Sequence, residues 1–112
     1  MLESLFGSKT AERVFLYLAN YGQGYAREIA LTFETTLSMV QKQLAKGETA
    51  GIFVSRLVGK TRVYELNPRY YFYKELVALL KKALEAKPEE DTKKDFRKRQ
   101  RPRRAGKPLW AE

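Results

Sequence analysis

Gly51 divides two kinds of apolar spacing in this chain. Before it, apolar residues recur every three to four positions, the period that lines one face of a helix. After it, residues 52–66 read IFVSRLVGKTRVYEL, two runs rich in β-branched and aromatic residues that meet at a glycine. Such runs suit an antiparallel pair of strands, IFVSRL and TRVYEL, with a turn at Val58-Gly59-Lys60. A hairpin this short has no core of its own. Yet its tip carries Arg56, Lys60 and Arg62, three cations that bury nothing. Their purpose has to be sought in the helices that come first.

Ser8 is a good N-cap, and from Lys9 onward Val14, Phe15 and Leu18 fall at helical spacing, flanked by Ala11 and Tyr17. Asn20, Gly22 and Gly24 end that helix. YAREIALTF reads as a second, short helix with Ile29 and Ala30 inward and Arg27 and Glu28 outward. A turn follows at FETT. Thr36 then caps a third helix to about Ala50, with Leu37, Val40 and Leu44 as its buried stripe. Ahead of these, LESLF predicts a packed N-terminal turn that puts Leu2 and Leu5 within reach of a second subunit.

Beyond the hairpin, Asn67-Pro68 signals the start of a helix at about 68–87, with Asn as cap and Pro in the first turn. Its stripe is Phe72, Leu76, Leu79, Leu80 and Leu84, with Tyr73 and Val77 beside it. Apolar surface on two sides of one helix calls for two partners, one of them another copy of the chain. The expected fold class is therefore mainly α with a small β-hairpin. Residues 1–88 form one domain, and 89–112 form a basic tail, disordered when free.

Composition removes much chemistry. Cysteine and histidine are both absent, and aspartate does not occur before Asp91. Disulfides, thiolate nucleophiles and nearly all zinc sites go with them, so no metal and no cofactor is expected. A Ser-His-Asp apparatus cannot be assembled. Ser38 and Lys42 have the spacing of a Ser-Lys pair, but that chemistry needs a desolvated lysine, and this one faces water. The expectation is that the protein is not an enzyme. No apolar run reaches membrane-spanning length, and MLESLFGSKTAERV lacks the pattern of a secretory leader, so a cytoplasmic location is expected.

Charge points toward polyanions. The chain holds 22 Lys+Arg against 13 Asp+Glu, a net charge of +9. Residues 1–90 carry 13 basic and 10 acidic side chains, whereas 91–112 carry 9 and 3. A mildly basic body with a strongly basic tail fits a nucleic-acid binder, although a solubilising surface would have the same composition.

Helix, tight turn, helix and hairpin is a recognisable order. YAREIALTFETTLSMVQKQL resembles the helix-turn-helix motif of bacterial and archaeal winged-helix repressors, and AGIFVSRLVGKTRVYEL resembles their wing. The similarity covers roughly residues 8–67. It is nearest in character to the small arsenic-repressor-like and antibiotic-resistance-repressor-like regulators. It implies a sequence-specific transcriptional regulator, a dimeric repressor bound to double-stranded DNA, with a C-terminal dimerisation helix.

The residues can be weighed beside that resemblance. Opposite Val40 and Leu44, the third helix collects Ser38, Lys42, Ala45 and Lys46, with Met39 and Gln41 at the shoulders. Small, polar and cationic side chains suit a major groove, where Gln pairs with adenine and Lys with guanine or phosphate. The plain alternative is an ordinary solvated face. Met39 suits either a thymine methyl or boundary packing, and Thr36 could add a phosphate contact to its capping role. Lys60 and Arg62 would hold the DNA backbone beside the helix, unless they only guard an exposed edge. Arg56 contacts phosphate or pairs with Glu65. Arg27 is a phosphate contact by resemblance.

Two positions depart from the family pattern. Glu34 stands where glycine often turns the chain with positive φ. Gly47 stands where a core leucine is usual, at about 1 kcal/mol of helix propensity, so either the helix ends early or another side chain fills the space. The tail segment KKDFRKRQRPRR, with Phe96 and Trp110 nearby, reads as a nonspecific electrostatic arm. Rival readings are a protein-docking module, for instance an antitoxin-like partner of a toxin, and an RNA binder acting through the tail.

Overall fold

The computed structural model describes residues 2–86, so expectations about the tail and the end of the last helix lie outside the described residues. The element order is α1 (Glu3–Phe6), α2 (Lys9–Tyr21), α3 (Ala26–Phe33), α4 (Leu37–Thr49), β1 (Phe53–Val58), β2 (Thr61–Leu66) and α5 (Tyr73–Ala86). It is a mainly helical fold with one two-stranded antiparallel sheet.

Helix α2 is the centre. Ser8 caps it as expected, its Oγ accepting the Ala11 amide at 3.0 Å. The buried set is wider than the predicted stripe: Ala11, Val14, Leu16, Tyr17, Leu18 and Ala19 are all inside. The reason is that α1, α3, α4, α5 and β2 all pack against this helix, so an amphipathic pattern understates its burial. Phe15, expected inside, is half-buried and stacks on Phe6 with centroids 4.4 Å apart. Buried Glu12 accepts the Leu2 amide at 2.9 Å and fastens the N-terminal turn. Leu2 thereby packs on the protomer's own core, while Leu5 stays exposed.

The turn from α3 to α4 runs through Glu34 at φ 56, ψ 45, and its amide bonds back to the carbonyls of Ala30 and Leu31. A side chain in this left-handed region costs on the order of 1 kcal/mol. Thr36 then caps α4, Oγ1 accepting the Met39 amide at 3.4 Å. The buried stripe of α4 is Val40, Leu44 and Gly47. Leu37 corrects the expectation, since the first turn of α4 projects past the core and leaves that side chain 39% exposed.

Gly47 does not shorten the helix, which continues to Thr49. The missing side chain is replaced by the ring of Phe53, which lies where a Cβ would stand. That ring also meets Phe15, with centroids 5.0 Å apart. The base of the hairpin is thus part of the core, with Phe53 paired to Leu66 and both buried.

Gly24, read as a helix breaker, has a second role. Its amide and carbonyl pair with Tyr64 at 3.0 and 2.8 Å, adding a single bridge to the edge of β2. A Cβ there would lie 2.5 Å from Tyr17 Cε1, so the close approach requires glycine.

The helix expected at about 68–87 begins later, at Tyr73. Asn67 caps a turn instead: its Oδ1 accepts the Arg69 amide, while its Nδ2 donates to the Gly51 carbonyl, both at 2.9 Å. Two successive turns follow, closed by the Tyr70 amide on the Asn67 carbonyl at 3.0 Å and by the Tyr73 amide on the Tyr70 carbonyl at 2.9 Å, before the helix starts. Phe72 therefore precedes α5 rather than belonging to its stripe. Leu80 and Ala83 are buried in the core, Leu76, Val77 and Leu84 pack partly against it, and Leu79 is exposed. Leu80, proposed for a subunit contact, is thus a core residue. Among the described residues no helix is long and apolar enough to cross a membrane.

Candidate nucleic-acid interface

Three elements meet at an open cleft of about 450 Å³. One wall is the start of α3, with Tyr25, Ala26 and Arg27. A second is α4 from its first turn to its middle, with Leu37, Gln41 and Leu44. The third is the hairpin from Lys60 to Tyr64. The strand register explains the third wall. Phe53 pairs with Leu66, Ser55 with Tyr64 and Leu57 with Arg62, so these six share one face of the sheet. That face is buried at Phe53 and Leu66 and runs outward through Tyr64 to Arg62 at the rim.

Arg27, Gln41, Lys60 and Arg62 come together here, from three separate stretches of chain. The other predicted groups on α4, Ser38, Met39, Lys42 and Lys46, are exposed on the same helix beyond the cleft lining. Met39 is not a packing residue; its Sδ accepts a hydrogen bond from Thr35 Oγ1 at 3.7 Å, in the open. Thr36 is exposed while it caps. Among the described residues no acceptor ties down Arg27, Lys42, Lys46 or Lys60.

The two hairpin arginines are held differently. Arg56 lies on the opposite face from Arg62. Its Nη1 donates to Glu65 Oε2 at 3.3 Å, and its Nη2 to Gln23 Oε1 at 2.9 Å. The pairing alternative is the one realised, and this cation is directed away from the cleft. Arg62 donates from Nη1 to Ser55 Oγ at 2.9 Å, and Ser55 Oγ donates to Glu48 Oε2 at 2.6 Å.

Tyr64, Tyr25, Leu37, Ser55 and Glu48 were not anticipated at the site. Burial pushes the Tyr64 phenol above its ordinary value, the Glu48 carboxylate adds to this, and Arg62 opposes it. At neutral pH it remains a hydroxyl able to donate and accept. Its place could have been found from the two-residue alternation Arg62, Tyr64, Leu66, which passes from cation to core on one face. Glu48 and Ser55 gave no such signal, because their meeting depends on how α4 hands over to β1.

A surface of this kind, with polar and cationic groups on a protruding helix and a basic hairpin beside it, can take up an extended polyanion. No family model matches the chain, and comparison with curated proteins and with solved structures gives no match.

Proposed function

We propose that this protein is a winged helix-turn-helix regulator that binds duplex DNA, with α3 and α4 as the helix-turn-helix and the hairpin as its wing. One observation carries the reading: Gln41 of α4 lines the same cleft as Lys60 and Arg62 of the hairpin tip, and Ser38, Met39 and Lys42 are exposed on that same helix. A helix of 13 residues is about 20 Å long, and Ser38, Met39, Gln41 and Lys42 occupy its exposed N-terminal half. That is the half which reaches base edges when such a helix enters a major groove. Lys60 and Arg62 then meet the backbone alongside, contacts that set register without reading sequence.

The protein acts as a homodimer and represses by occupying its site. Tyr71 is 87% exposed and Phe72 53%, with Leu79 and Leu5 exposed as well, which is apolar surface that a second copy would cover. Replacing Phe72 and Leu79 by serine is expected to halve the mass seen by sedimentation.

Selection of bound duplexes from a random pool, followed by mobility-shift titration, tests the reading. The expected outcome is an inverted repeat with half-sites one or two helical turns apart, and binding lost in the Lys42→Ala/Arg62→Ala double variant. Binding that survives both substitutions, or a preference for single-stranded RNA, overturns it.

A further inference from the structure

We infer that Glu48 and Ser55 are positioning residues which hold Arg62 in place, ready to take a DNA phosphate at the rim of the cleft. The inference rests on the duplex-binding reading and names how one contact of that surface is built.

The direction of the relay follows from donor counts. A carboxylate only accepts, so the single proton of the Ser55 hydroxyl goes to Glu48 at 2.6 Å. The oxygen's lone pairs then face outward, and Arg62 Nη1 donates to them at 2.9 Å. Each link has one polarity, and together they join the last turn of α4 to the second strand of the hairpin.

Placing a hydroxyl between the charges matters. Among the described residues Arg62 and Glu48 form no direct ion pair. A direct pair would have occupied the guanidinium fork and cancelled its charge. Held through serine, Arg62 commits one N–H of five, and the rest of the fork stays free for bidentate contact with phosphate. Arg56 shows the contrast on the same hairpin. Both of its terminal nitrogens are engaged, by Glu65 and by Gln23. One arginine is taken up in structure and the other is oriented but open. Arg62 is itself exposed at the rim of the cleft, so packing alone gives its side chain little hold. The relay holds it.

Ser55→Ala tests this without changing charge. In the free protein, ¹⁵N relaxation of the Arg62 Nε–H is expected to show an ordered side chain that becomes mobile in Ser55→Ala and is ordered again in Ser55→Thr. On the selected duplex, Ser55→Ala is expected to weaken binding about three- to fivefold, as an exposed positioning contact should. Its salt dependence should move toward that of Arg62→Ala, which loses about one unit of slope with its phosphate. In the Arg62→Ala background the serine substitution should have no further effect. An Arg62 side chain equally ordered in Ser55→Ala, or additive losses in the double variant, overturns the relay. Failure of the wild-type protein to bind any duplex overturns the reading of the whole surface, which the relaxation measurement keeps separate.

Discussion

The two ends of the hairpin live in different surroundings. At the base, Phe53 and Leu66 are buried, and the Phe53 ring occupies the space that Gly47 leaves on α4. At the tip, every residue from Leu57 to Arg62 is exposed. One short element is therefore core at one end and free surface at the other. A stretch that buries nothing adds little to stability, so substitutions at the tip should leave folding nearly unchanged. The tip has Lys60 and Arg62 there, and the base has an aromatic ring.

The sharpest way to break this comparison is at the base. Phe53→Ala is expected to cost about 3–4 kcal/mol by denaturant titration, because a large ring leaves a hole against Phe15 and Gly47. A loss below about 1 kcal/mol would mean that the base is not core at all. Gly47→Ala comes next. Alanine favours a helix by about 1 kcal/mol, but its methyl would enter the Phe53 ring, and that ring is boxed in. A net destabilisation of about 1–3 kcal/mol is expected, with part recovered in the Gly47→Ala/Phe53→Leu double variant. A stabilised Gly47→Ala would show that the ring can move away freely.

At the tip the two readouts should separate. Lys60→Ala and Arg62→Ala are expected to leave unfolding free energy within about 0.5 kcal/mol of wild type. On duplex DNA each should weaken binding and reduce the salt slope by about one. Arg56→Ala should behave in the opposite sense. It breaks a half-exposed ion pair worth about 0–1 kcal/mol and leaves the salt slope where it was. Equal DNA effects at Arg56 and Arg62 would contradict the different ways in which they are held.

Local chemistry made much of the fold legible. Ser8 and Thr36 announce their helices by side-chain capping, and the hairpin by its β-branched runs and a central glycine. Legibility failed wherever a residue answered to something distant in sequence. Leu16 is buried because five elements surround α2, which its own spacing cannot express. Asn67 looks like a helix cap, but it caps a short turn, and its amide group also reaches the Gly51 carbonyl 16 residues earlier. The gap at Gly47 is visible in the sequence, but not that the ring of Phe53 fills it. For the site, helical spacing singled out the exposed face of α4. The cleft that joins Arg27 to Lys60 and Arg62, and the contact of Ser55 with Glu48, come only from tertiary packing.

The smallest expected effect concerns the turn that sets α3 against α4. Glu34 sits at φ 56, and its amide closes the end of α3 onto Ala30 and Leu31. Glycine adopts that conformation without strain, but it also gains freedom in the unfolded chain, which offsets part of the benefit. Because Glu34 is exposed, contacts of its carboxylate contribute little. The balance favours Glu34→Gly by about 0.5 kcal/mol in a denaturant titration, with Glu34→Asn between it and wild type. Both variants lose the same charge, so electrostatics alone would make them equal. A ranking of Gly above Asn above Glu would show that backbone strain in the turn, rather than charge, is what the native residue tolerates. Equality of Gly and Asn would assign the effect to the carboxylate and leave the packing of α3 on α4 as what holds the turn in its left-handed form.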